Sequence, residues 1–165
     1  MSETCKSPGE SSPPGAGLVV AVVAARFNGE LVDRLVESAV RTLAASGVAP
    51  ETVRVWRAPG AFELPLLAQE VIRAERPDAV VALGAVVRGE TPHFDFVAGE
   101  AARGLQAVSR ETGVPVAFGV LTANTWEQAE ARTRPPLDRG AEAARAAIEM
   151  AHTLAALRTG QSVHA

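Results

Sequence analysis

Apolar runs of strand length alternate along the chain with segments whose apolar positions recur at helical spacing. Leu18 to Ala25 is continuously apolar, which predicts a first strand covered on both faces. From Glu30 to Ser46 the stripe Val32, Leu35, Val36, Ala39 and Leu43 predicts a helix, and Gly47 supplies its stop. Thr52 to Trp56 reads as a second strand. Pro59-Gly60 breaks that pattern, and Leu64, Leu67, Ala68, Val71 and Ile72 form the next helical stripe. Ala79 to Val87 is the strongest strand signal in the chain. Phe94 to Glu111 reads as a helix with Gly113 beyond its end, and Pro115 to Leu121 as a fourth strand with proline tolerated at its start. Thr125 and Gln128 have the spacing of a capping box opening a short helix, and Asp138 caps an alanine-rich helix running to about Arg158.

The sum is βαβαβαβα with an extra terminal helix, which predicts an α/β fold with a four-stranded parallel sheet between two helical layers. Such sheets bind ligands beyond the carboxyl ends of their strands, so the segments after each strand carry the functional information. After the first strand comes Arg26-Phe27-Asn28. Phe27 either caps the core or offers a flat face for stacking a heteroaromatic ring. After the second comes Pro59-Gly60-Ala61-Phe62-Glu63-Leu64-Pro65, whose small residues let a ligand approach the backbone and whose proline suits the first turn of a helix. Glu63 there either complements the helix dipole or binds a ligand.

The third strand leads into Arg88-Gly89-Glu90-Thr91-Pro92-His93. Thr91 is a good N-cap and Pro92 a good first helical residue, which puts His93 in the first turn. Histidine exchanges protons near neutral pH, and the helix start beside Gly89 is a phosphate cradle in outline. A structural histidine is the competing reading, and the two stand about even. Phe118 reads most simply as core and Arg132 as a solvated charge; His152 and His164 have no setting that assigns them a role.

Composition then narrows the choice of chemistry. The 165 residues suit one domain, spanning 18–158, with an N-terminal tail over 1–17 rich in Ser, Pro, Gly and Glu and a short C-terminal tail over 159–165. The net charge of −3 comes without a basic block, so no nucleic-acid surface is expected. The single cysteine, Cys5, and three scattered histidines recommend neither a disulfide framework nor a metal site. No apolar run approaches the roughly 20 residues of a membrane span, and residues 1–17 lack the core of a secretory signal, so a cytoplasmic protein without membrane partner is expected. The fingerprints of dinucleotide and P-loop sites and of the serine nucleophile elbow are missing as well. The chemistry expected is that of side chains acting on a reactive substrate, with no cofactor.

Taken together, Arg26-Phe27-Asn28, Pro59 to Pro65, Gly84 to Phe96, Phe118 to Thr122 and Glu127-Gln128-Ala129 with Arg132 resemble the lumazine synthase family. The resemblance spans about Leu18 to Leu157 in order and at family spacing, and the run Gly89 to Asp95 is its most specific part. It implies a flavodoxin-like three-layer αβα sandwich and a transferase of riboflavin biosynthesis. This enzyme condenses 5-amino-6-(D-ribitylamino)uracil with 3,4-dihydroxy-2-butanone 4-phosphate, releasing 6,7-dimethyl-8-ribityllumazine, phosphate and water. By resemblance His93 is the general acid/base and Phe27 stacks on the pyrimidine. Ala61, Phe62 and Glu63 hold the ribityl chain, and Ala85, Val86 and Val87 the pyrimidine edge. Glu90 and Thr91 lie at the substrate phosphate, which Arg132 binds bidentately. Phe118 and Arg132 come from a neighbouring subunit, which implies a homo-oligomer with a pentamer as its basic unit.

One departure bears on assembly. Relatives that form sixty-subunit shells have a Gly/Lys/Asn-rich kink between the last two helices, where this chain has Thr133-Arg134-Pro135-Pro136-Leu137-Asp138-Arg139-Gly140. Arg139 keeps a cation there, but prolines stand in place of the kink, so a pentamer is expected while an icosahedral shell stays open. The rival readings are a paralogue acting on another flavin precursor, a flavin-binding shell protein without activity, and a flavodoxin-like signalling domain. His93 together with Arg132 argues against lost activity. A signalling domain calls for an acidic cluster at the strand ends, whereas Glu63 and Glu90 sit on Gly/Pro turns.

Overall fold

The structure is a computed structural model and describes residues 14–160. In chain order it forms β1 (Val20–Ala25), α1 (Gly29–Ala45), β2 (Val53–Ala58), α2 (Leu64–Glu75), β3 (Ala79–Val87), α3 (His93–Thr112), β4 (Val116–Ala123), α4 (Trp126–Ala131) and α5 (Arg139–Thr159). Single 3₁₀ turns at Pro50–Thr52 and Ala61–Glu63 precede β2 and α2. All strands are parallel, in the order β2-β1-β3-β4. The expected α/β sandwich is therefore the fold of this chain.

The two faces of the sheet explain the layers. Alternate side chains of β1, Val20, Val22 and Ala24, join Leu31, Leu35 and Leu43 of α1 and Ala144, Ala147 and Ile148 of α5 in one core. Ala21 and Val23 face the other way, onto Leu64 and Ala68 of α2 and Ala101 and Leu105 of α3. This is the period-two pleat of a strand covered on both sides.

Two contacts set the α1–α5 spacing. A Cβ on Gly140 would lie 2.4 Å from the Leu35 carbonyl oxygen, so α5 starts nearly in backbone contact with α1. Asp138 caps α5 by accepting from the Ala141 N–H at 3.1 Å, and its other oxygen accepts from the hydroxyl of buried Ser38 on α1.

Several element bounds differ from expectation. β1 begins at Val20 and α1 ends at Ala45; β2 spans Val53–Ala58, whose Arg54 to Arg57 are exposed on an edge strand. β4 runs on to Ala123 because Val86 and Val87 of β3 pair with Thr122 and Ala123. Helix α3 starts at His93, with Pro92 before it as the cap; the Thr91 hydroxyl only reaches the His93 N–H at 3.5 Å. Thr125 does cap α4, accepting from Gln128 N–H at 3.2 Å, but the Gln128 side chain returns to Asn124 N–H at 2.9 Å rather than to the cap residue.

Residues 1–13 with Cys5, and 161–165 with His164, lie outside the described residues. Pro14–Gly17 form a turn whose Gly15 N–H donates to Ser46 O at 2.7 Å. Among the described residues no helix is long and apolar enough to cross a membrane.

Candidate active site

From β1 the chain steps to one side to build β2, then returns across β1 to build β3 on the other side. The reversal opens a crevice at the carboxyl ends of β1 and β3. A cleft of about 620 Å³ lies there, within the range of small-molecule sites. Its walls come from the segments after β1, β2 and β3 and from the first turn of α3.

Phe27 is 70% exposed and Phe62 57% exposed, and both line this cleft. Neither caps the core. A phenyl ring left in water at a cleft wall gains about 1.5–3 kcal/mol once it is fully covered, so both are suited to a planar ligand. Ala61 is buried in the cleft lining, and Ala85 with half-buried Val86 and Val87 forms the floor. Glu63 turns back on its own loop, its carboxylate accepting from Gly60 N–H at 3.0 Å. Thr91 and His93 line the same cleft from the α3 side, and His93 is exposed. Glu90 stands on the intervening loop, exposed and outside the cleft lining.

Sequence reasoning gave no role to two residues that shape this region. Asn28 adopts φ 54°, ψ 43°, a left-handed conformation that asparagine tolerates better than most residues, and its amide donates to Ala85 O at 2.8 Å. Arg88 lays its guanidinium over the Phe94 ring at 4.3 Å, donates from Nε to Asn124 Oδ1 at 3.1 Å, and pairs with Asp95 at 3.0 Å. Asparagine at a strand-to-helix turn was the available signal for the first. The second has no local signal, because Asn124 lies on another strand's loop.

Phe118 and Arg132 lie elsewhere. They line a separate cleft of about 360 Å³ with Thr122, Arg139 and Glu142, which shares no lining residue with the first. Phe118 is 48% exposed on edge strand β4, which corrects its reading as a core residue. Arg132 follows the end of α4 and donates to Gln128 O at 2.8 Å, while its own carbonyl accepts from Arg139 N–H at 2.9 Å. The α4 segment is tied to α1 by Arg34, which bonds Glu130 at 2.8 Å as well as Glu30. The hydrogen bond from Arg34 holds the Glu130 carboxyl below the usual carboxylate range, and the same bond raises Arg34 above its ordinary value.

These features give an α/β sandwich with a candidate site at the carboxyl edge of its parallel sheet, where exposed aromatic faces stand beside a histidine at a helix start. Residues 17–155 match the family model of 6,7-dimethyl-8-ribityllumazine synthase. A 6,7-dimethyl-8-ribityllumazine synthase of Nitratidesulfovibrio vulgaris is 50% identical over 134 residues, covering 81% of this chain and 86% of the relative. One of Gemmatimonas aurantiaca is 50% identical over 139 residues, covering 84% and 85%. The chain belongs to the 6,7-dimethyl-8-ribityllumazine synthase family. The riboflavin-pathway transferase expected from the motif segments is thereby borne out.

Proposed function

We propose that this chain condenses 5-amino-6-(D-ribitylamino)uracil with 3,4-dihydroxy-2-butanone 4-phosphate, in the cleft at the carboxyl ends of β1 and β3, as one part of a cytoplasmic homopentamer. The observation that carries this reading is the exposure of Phe27 and Phe62 in the cleft that also holds His93. The flat pyrimidine stacks on Phe27, with its edge along Ala85, Val86 and Val87. The ribityl chain runs by Ala61, Phe62 and Glu63. The phosphate end of the second substrate lies toward Glu90 and Thr91.

The reaction requires loss of water to form an imine, elimination of phosphate, and ring closure with loss of a second water. Each step moves protons, and His93 is the acid/base side chain in the cleft lining that moves them. Holding the two reactants face to face supplies much of the remaining rate.

The oligomer follows from Phe118 and Arg132. Within one chain they line a different cleft from His93, so a site that uses both needs a second copy to bring them. Arg132 then clamps the phosphate with its guanidinium fork. The folded unit of this assembly is the 18–158 domain.

The test mixes both substrates with purified protein and follows lumazine absorbance and phosphate release. A rate far above the spontaneous condensation, with both products formed in step, is expected. A rate equal to the spontaneous one overturns the proposal.

A further inference from the structure

The loop between β3 and α3 is held by main-chain hydrogen bonds at its two ends. Arg88 N–H donates to Ala123 O at 2.8 Å, the last backbone link to β4. Asp95 N–H donates to Pro92 O at 3.0 Å, inside the first turn of α3. Among the described residues the N–H groups of Gly89, Glu90 and Thr91 donate to no protein acceptor, and a Cβ on Gly89 would meet nothing within 4 Å. Three consecutive amides are thus left without a protein acceptor, on an exposed segment.

The Arg88 side chain spans this segment. Its flat face rests on the Phe94 ring, its Nε bonds Asn124 beyond β4, and its two terminal nitrogens bond the two oxygens of Asp95 at 3.0 and 3.4 Å. Phe94 and Asp95 are the two residues that follow His93. One planar group therefore joins the start of the loop, the residues just past its end, and the neighbouring strand's exit. Both partners of the ion pair are largely exposed, 41% and 58% at the side chain, so the pair adds little to global stability.

We propose that Arg88 is the positioning residue of the phosphate loop, holding the free amides of Gly89 to Thr91 and the adjoining His93 in the shape the phosphorylated substrate requires. This rests on the condensation reading for the identity of the anion, though the ordering of the loop does not. Lysine cannot replace Arg88, because a point charge supplies neither the forked pair nor the stacked plane.

The test compares wild type, Arg88→Ala and Arg88→Lys in the full chain by steady-state kinetics and by hydrogen exchange of the 88–92 segment, with and without inorganic phosphate. Both variants are expected to raise KM for the phosphorylated substrate about tenfold, with KM for the pyrimidine changed less than about twofold. Exchange in 88–92 is expected to be faster in both variants and to lose its slowing by phosphate, while the melting temperature moves by no more than about 3 °C. Wild-type KM in Arg88→Lys overturns the proposal, since charge alone would then suffice. So does unchanged exchange in Arg88→Ala, or an equal rise in both KM values with a large fall in melting temperature. If wild type fails to condense the pair, the condensation reading fails, and the exchange comparison still decides whether Arg88 orders the loop.

Discussion

The side-chain amide of Asn28 donates to the main-chain oxygen of Ala85 across 2.8 Å, joining the turn after β1 to the end of β3 at the topological reversal. This bond ties the segment that carries Phe27 to the cleft floor. Asn28→Ala loses the bond and forces a Cβ residue with no local polar compensation into φ 54°. Destabilisation of about 2–3 kcal/mol is expected from urea unfolding, combining an unpaired carbonyl with backbone strain. Asn28→Gly keeps the left-handed turn and should cost less than Asn28→Ala. Equal costs would show that the backbone conformation contributes nothing.

Gly140 is a second position where one methyl group matters. Its added Cβ would meet backbone atoms of Leu35, which cannot rotate away. Gly140→Ala therefore has to push α5 off α1, at about 1–3 kcal/mol by analogy with overpacked cores. Thermal unfolding measures this, and an unchanged melting temperature would mean that the α1–α5 contact has slack.

The ion pair of Arg34 with Glu130 gives a pH signature. Because folding holds the Glu130 carboxyl below its ordinary value, the contribution is fully present above the unfolded carboxylate range and is lost as pH falls through the lower folded value. Arg34→Met should thus melt below wild type at neutral pH, with the gap closing in acid. The gap is expected to be small, since both side chains are about one-third exposed. A gap that persists unchanged at the lowest accessible pH would assign it to packing instead.

How far the sequence carried depends on where each signal resides. β3 was legible to the residue because Ala79 to Ala85 are buried and bounded by polar turns. β2 was not: Arg54 and Arg57 sit on an exposed edge, and only the register against β1, Val20 with Val53 through Ala25 with Ala58, fixes its extent. The same holds for the end of β4. Phe27, Ala61, Phe62, Ala85, Thr91 and His93 were all readable as strand-exit residues, and one cleft gathers them. The separation of Phe118 and Arg132 from that cleft was not readable from spacing, because sequence order carries no tertiary distance. Nor was the Arg88 bracket, whose Asn124 partner lies 36 residues away.

The two cation and imidazole roles separate in kinetics. Arg132→Ala should chiefly raise KM for the phosphorylated substrate if anchoring is its task, as proposed. His93→Ala should lower kcat without abolishing turnover, because orientation of a reactive pair persists. Steady-state assays with each substrate varied in turn check both. Unchanged KM in the first, or unchanged kcat in the second, removes that residue from the site.

Mixed oligomers test most directly whether two copies complete one site. A subunit carrying Arg132→Ala keeps its His93 cleft, and one carrying His93→Ala keeps its Arg132 cleft. In rings reassembled from equal amounts, about a quarter of interfaces pair an intact His93 cleft with an intact Arg132. Assayed with the phosphorylated substrate far below the KM of Arg132→Ala, where both parent variants are slow, activity near a quarter of wild type and clearly above the mean of the two parents is the predicted result. Activity no higher than that mean would contradict a shared site.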